Sequence, residues 1–520
     1  MNIKRAMAEI MDTIEAYLLK DGDGDYVIPI IHQRPIFLIG PPGIGKTQIM
    51  GQIAQKMKLA LVSYTITHHT RQSAIGLPFI SEETFDGKKY SVTEYTMSEI
   101  VASMYQKMEQ TGLREGILFI DEINCVSETL APAMLQFLQC KTFGNLQIPR
   151  GWIIVAAGNP PEYNRSVREF DVVTMDRVKR MDVEPDFDAW KEYAYQANVH
   201  PAVLAYLQAK PQYFCRMETT VDGRFFATPR GWEDLSRLLW VYESLKKGVD
   251  RDTVTSYIQY PAIARDFANY WELFHKYEAD YAMDEVFAGH IPDILIKKIA
   301  HASFDERYGV LGLILARCRQ SFLAYCREEE YMTALHETLS KAKTLLLSSE
   351  GTDPALVLDD LVLRISAQRE TETKAELLTR EEKHVSIRVE SFLSGIRKEL
   401  ADAETAQETF ERISGEFGRE RQNYEKSHAQ AARTLEYAFD CLEVLFGQGQ
   451  EIVLFLTELN ANPYSVRFLK RYACERYDRY NQELLYEDRS RAILKKIEEA
   501  DSVFGSPTAE AAKSSSGNIE

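Results

Sequence analysis

The segment Gly40-Pro41-Pro42-Gly43-Ile44-Gly45-Lys46-Thr47 follows the spacing G-x-x-x-x-G-K-[ST]. Glycines let a backbone wrap closely round a phosphate, so that its N–H groups can donate to the phosphate oxygens. The lysine adds a point charge for the β- and γ-phosphates, and the threonine hydroxyl can ligate Mg²⁺. The expected ligand is a nucleoside polyphosphate with its magnesium ion, held by Gly40 to Gln48, with Thr47 as one metal ligand. A second group stands about 75 residues downstream, where the apolar run Ile117–Ile120 ends in Asp121 and Glu122. Carboxylates at a strand end sit where open α/β sheets bind ligands. Asp121 is expected to hold the metal, directly or through water, and Glu122 to polarise an attacking water. A third run, Trp152–Ala157, ends in Gly158, Asn159 and two prolines. Asn159 can orient a water and the γ-phosphate, or it can simply open an Asn-Pro turn.

These groups need strands to carry them. Apolar runs at Ile36–Ile39, Leu59–Ile66, Ile117–Ile120 and Trp152–Ala156 are continuous rather than alternating, the pattern of strands in a parallel sheet buried on both faces. Helical patterns separate them, which predicts a βαβ architecture over residues 1–190. Beyond about residue 190 the strand signal ends, and 191–300 reads as short helices with buried aromatic residues. Residues 301–504 read as all-helical. Within them lies a proline-free, highly charged arm, 361–446, in which Leu393, Ile396, Leu400, Ala403, Phe410, Ile413 (or Ser414), Phe417 and Tyr424 step by threes and fours, interrupted by Gln407 and Arg421. Gly395, Gly415 and Gly418 predict bends in the arm, since each weakens a helix interior by ~1 kcal/mol. Such a seam must be buried, either in a hairpin of the chain itself or against another protein. The last residues, 505–520, read as a disordered tail.

At 520 residues the chain implies several domains. Its 61 Lys and Arg against 78 Asp and Glu give a net charge of −17, which argues against a nucleic-acid binder working by bulk electrostatics. Seven scattered cysteines form no C-x-x-C pair and no zinc spacing, which reads as reduced thiols in a cytoplasmic protein. No apolar stretch approaches the ~20 residues a spanning helix needs. His68-His69 invites a metal reading, but adjacent strand residues point to opposite faces, which favours a turn or polar contact.

The motifs, in this order, resemble the AAA+ superfamily of ATPases, and in finer detail its MoxR branch. The stretch DEINCVSETLAPAMLQFLQCKTFG followed by IPRGWIIVAAGNPPEYN is similar to that branch's helix, hairpin and sensor strand. Asp176-Arg177 is similar to its D-R-F element, with Val178 where the family has Phe, and Ala227-Thr228-Pro229-Arg230 to its second sensor. The resemblance covers roughly residues 10–300. It implies a P-loop NTPase core of the AAA+ type with a helical lid, ATP and Mg²⁺ as cofactors, Asn159 and Arg230 as the two sensors, and Arg177 as an arginine finger. Arg180, Arg168 and Arg165 are the alternatives for that finger. It also implies a ring of six subunits, with His68–Tyr95 and the hairpin near Phe143-Gly144 facing the ring's pore or surface. The job implied is remodelling or maturation of a partner that carries a von Willebrand factor A domain. A nucleic-acid motor and a nucleotide-gated scaffold are the alternatives. The acidic charge disfavours the first and an intact Glu122 the second.

Overall fold

The computed structural model describes every residue except 69, 144–145, 164–166, 169, 222, 281–282, 303, 349–352, 401–404 and 485–520. The expected tail therefore lies outside the described residues, as do Ala403, Arg165, Gly144 and His69. His68 closes a short 3-10 turn, Ile66–His68.

Eleven strands occur among the described residues. Five form one parallel sheet: β1 (Ile36–Ile39), β2 (Ala60–Thr65), β5 (Gly116–Asp121), β8 (Trp152–Gly158) and β9 (Lys179–Asp182), in the order β2-β5-β8-β1-β9. Alternate residues of the central strands go to opposite faces, as the strand period requires. Phe37, Leu118, Ile120, Ile154 and Ala156 pack with the helices Glu99–Thr111 and Ala131–Cys140. Ile36, Leu38, Ile117, Phe119, Ile153 and Val155 pack with the helices Ile3–Leu18 and Lys46–Met57. Both faces are thus covered, which is why these strands read as unbroken apolar runs.

The remaining strands form three antiparallel hairpins: β3 (Pro78–Phe85) with β4 (Lys88–Tyr95), β6 (Thr142–Phe143) with β7 (Leu146–Gln147), and β10 (Arg216–Thr220) with β11 (Gly223–Ala227). The last corrects the expectation that strands end near residue 190. Its residues are mostly exposed, so no apolar run announces it. The edge strand β9 was equally silent, because Met181 alone among its four residues is buried.

The described residues divide into two compact units, Met1–His275 with Arg327–Glu425, and Lys276–Cys326 with the described part of Lys426–Glu520. In the first, the charged arm folds back as a bundle. Leu393 and Ile396 of the helix Arg380–Glu399, and Ile413 of the helix Ala406–Phe446, pack on Leu346, Leu358 and Leu361. Arg388 lies over the Tyr331 ring at 3.7 Å and pairs with Glu328 at 2.8 Å. Leu393, Ile396, Leu400, Ile413 and Phe417 of the seam are therefore packed by the chain itself. Gly395 lies inside the helix Arg380–Glu399, and Gly415 and Gly418 inside the helix Ala406–Phe446, so none of the three ends a helix. The chain turns at Ala375–Thr379, where Glu376 adopts φ +60° and Thr379 caps the next helix in a reciprocal box with Glu382. That turn rests on the nucleotide-motif region: Gln55 donates to the Glu376 carbonyl at 3.2 Å, and Lys107 approaches its carboxylate at 3.8 Å. Replacing Leu393, fully buried in the bundle, by Ala is expected to cost about 2–5 kcal/mol in chemical denaturation. A cost under ~1 kcal/mol would mean the seam is not a core.

In the second unit, Phe322, Phe439, Phe455 and Phe468 are fully buried, and Phe322 stacks on Phe468 at 5.0 Å. The seven cysteines are free thiols. Among the described residues, no helix is long and apolar enough to cross a membrane.

Candidate functional site

The parallel sheet brings three loops to one edge. The Gly40 loop follows β1, Asp121 ends β5, and Asn159 follows β8, whose Gly158 lies in register with Ile39. Gly43 and Gly45 adopt φ +78° and +95°, conformations that glycine enters without steric cost. Gly45 is also the N-cap of the helix Lys46–Met57 and provides no side chain to cap it. The first amides of that helix are left pointing into the loop, a ready anion site.

Lys46 is 7% exposed and donates to the Gly40 carbonyl at 2.7 Å, the Pro41 carbonyl at 2.8 Å and Asn159 Oδ1 at 3.0 Å. Burial pushes its pKa down to about 8, against the opposing pull of Asp121, while Arg230 depresses it further and Glu122 raises it. The Thr47 hydroxyl donates to Asp121 Oδ2 at 2.8 Å, so the two expected metal ligands already converge. The other Asp121 oxygen accepts from the Glu122 amide at 2.9 Å. Glu122 adopts φ +56°, which reverses the chain and turns its carboxylate toward Thr67, whose hydroxyl donates to it at 3.2 Å.

Thr228 caps the helix Pro229–Ser244, and the Arg230 amide donates to the Gly43 carbonyl at 3.2 Å. This brings the start of that helix over the loop. Gln48 donates to Glu233 at 3.3 Å, and the Tyr193 hydroxyl donates to the same carboxylate at 2.9 Å. A cavity of about 150 Å³ lies beside the loop, with Met7, Gln48, Tyr193, Arg230 and Glu233 in its walls. A second, of about 550 Å³, is bounded by Gly43, Tyr163, Arg224, Phe226 and Arg230.

Arg177 stands apart from these groups. The register pairs Ile36 with Lys179, so Arg177 precedes the strand edge opposite the loop. The strand from Ile36 to Gly40 alone spans roughly 13 Å at ~3.3 Å per residue. Of the alternatives, Arg168 is paired with Glu128 at 2.6 Å and Arg180 with Asp182 at 2.8 Å. The Arg177 side chain is exposed, with Asp171 as a charge neighbour whose carboxyl it helps to hold below the usual range.

The site therefore gathers Gly40–Gln48, Asp121, Glu122, Asn159 and Arg230, and leaves Arg177 outside. Thr67, Asn124 and Glu233 also take part, although the motifs do not announce them. Asn124 follows the Asp-Glu pair, but its side chain acts on backbone groups, which leaves no spacing signal. Orphan amides, a buried lysine and a paired Thr47–Asp121 are the donor set that a magnesium-bound polyphosphate needs.

Such a loop on a parallel sheet defines a P-loop nucleotide-binding domain. Residues 35–178 match the family model of the AAA domain, dynein-related subfamily. The chain is thus built on an AAA domain, with a five-stranded parallel sheet, followed by a mostly helical remainder. A search of curated proteins found no match to the chain.

Proposed function

We propose that the protein is a ring-forming ATPase of the MoxR type that spends ATP hydrolysis on remodelling or maturing a partner protein. The observation that carries this reading is the convergence of Lys46, Thr47, Asp121 and Asn159 on one sheet edge, with Arg230 above them. In this reading the loop amides and Lys46 bind the β- and γ-phosphates of ATP. Thr47 and Asp121 hold Mg²⁺, which when bound would neutralise charge on the phosphates. Glu122 accepts a proton from the attacking water, and Asn159 orients that water against the γ-phosphate. Arg230 reaches the same phosphate from the helix above the loop.

The position of Arg177 supports assembly. A guanidinium beyond the opposite end of β1 is badly placed for its own loop, yet it is exposed, as a group acting on a neighbour's nucleotide would be. The partner reading, a separate protein with a von Willebrand factor A domain, rests on the MoxR-like motifs alone. It is tested by phosphate release from Mg·ATP, with and without such a protein encoded beside this chain. The expected result is basal turnover that the partner changes several-fold. Stimulation by DNA instead would favour a nucleic-acid motor, and turnover indifferent to both would remove the remodelling role.

A further inference from the structure

We infer that Asn124 is a positioning residue for ATP turnover, acting through Asn159; this rests on the ATPase reading above. The parallel ladder between β5 and β8 ends at the pair Ile120 and Ala156. Beyond it the two strands part company. β5 gives way to the reversal at Glu122, while β8 continues beside β1 as far as Gly158. The short 3-10 turn Ile123–Cys125 fills the gap. Ile123 is fully buried in the core, and this anchors the turn so that the next side chain points under the end of β8.

That side chain is the Asn124 carboxamide, 5% exposed, and it treats residue 159 as a neighbouring strand would. Its Nδ2 donates to the Asn159 carbonyl at 2.7 Å, and its Oδ1 accepts from the Asn159 amide at 3.3 Å. One side chain thus replaces the missing backbone rung. Asparagine has the required chemistry, a donor and an acceptor on one short planar group. The next two residues, Pro160 and Pro161, have no amide hydrogen and cannot fasten the chain there. Asn124 also binds onward, because its carbonyl accepts from the Arg168 amide at 2.9 Å.

The consequence lies on the far side of Asn159, whose Oδ1 meets Lys46 at 3.0 Å. Asn124 therefore ties the turn carrying Asp121 and Glu122 to the side chain that faces the phosphate loop. A Cβ on Gly158 would stand 2.6 Å from Asn124 Oδ1 and 2.9 Å from its Nδ2, closer than real atoms approach. Gly158 is thus the space in which the carboxamide sits. Substituting Gly158→Ala should displace that carboxamide without altering either asparagine.

The test is steady-state phosphate release from Mg·ATP by full-length wild type, Asn124→Leu, Asn124→Asp, Gly158→Ala, Asn159→Ala and the double variant Asn124→Leu/Asn159→Ala. Partners that orient metal ligands typically contribute about 10–100-fold in activity, and by analogy a fall of that order is expected in kcat for Asn124→Leu and Gly158→Ala. KM should stay within about threefold, because the loop amides and Lys46 that bind ground-state ATP are untouched. Asn124→Asp keeps the volume and an acceptor but loses the donor, and it keeps the test open should Asn124→Leu fail to fold. It too should lose turnover. If Asn124 acts through Asn159, the two effects will not add, and the double variant will match Asn159→Ala alone. Wild-type turnover in folded Asn124→Asp and Gly158→Ala proteins overturns the inference and leaves the ATPase reading standing. Fully additive losses in the double variant also overturn it. A wild-type protein that binds ATP without hydrolysing it overturns the ATPase reading, and this inference with it.

Discussion

Glu122→Gln is expected to bind Mg·ATP with wild-type affinity and to lose turnover by about 10²–10⁴-fold, the usual contribution of a positioned general base. The amide keeps the shape of the side chain and can still meet the Thr67 hydroxyl, which lies 3.2 Å from the native carboxylate. It cannot take a proton from water. The loop amides, Lys46, Thr47 and Asp121 are unchanged, so binding and hydrolysis should separate in this variant. Single-turnover phosphate release, alongside equilibrium nucleotide binding, reads both at once. Equal turnover in Glu122→Gln and wild type would remove Glu122 from the chemistry.

The second large effect is expected at Arg177. An arginine supplied by a neighbour typically contributes about 10³–10⁵ in rate, so Arg177→Ala should be nearly inactive although the residue lies far from its own loop. Its companions Arg168 and Arg180 are engaged with Glu128 and Asp182, and their replacement should matter much less. The decisive form of the experiment mixes Arg177→Ala with Glu122→Gln subunits. Each is expected to be inactive alone, yet in the proposed ring mixing would create interfaces that join an intact Glu122 to an intact Arg177, and part of the activity should return. An unchanged rate in Arg177→Ala alone, or no recovery after verified mixing, would end the trans role.

The parts of this architecture that could be read from sequence share a physical character. β1, β5 and β8 are buried on both faces, and burial writes itself as runs such as Ile-Phe-Leu-Ile and Ile-Leu-Phe-Ile. The phosphate loop is legible because its geometry restricts residue type: Gly43 and Gly45 need positive φ. What stayed hidden lacks such restriction. The β10–β11 hairpin and β9 are held by backbone hydrogen bonds with few buried side chains, so Lys-Arg-Met-Asp resembles any surface segment. The arm's apolar steps were legible, but the surface that fills them was not, since Leu346, Leu358 and Leu361 come from other helices. Asn124 escaped notice because its partners are backbone atoms of residue 159, 35 positions away.

The central claim is that this loop binds ATP through Lys46, and titration calorimetry of Mg·ATP into wild-type and Lys46→Ala protein tests it most directly. Lys46 is buried against the Gly40 and Pro41 carbonyls, where a bound phosphate would give its charge a better partner. The expected result is a saturable binding isotherm for the wild type and no measurable heat of binding for a folded Lys46→Ala protein. Equal affinity in the two proteins would contradict the phosphate-loop assignment, and with it the account of the site.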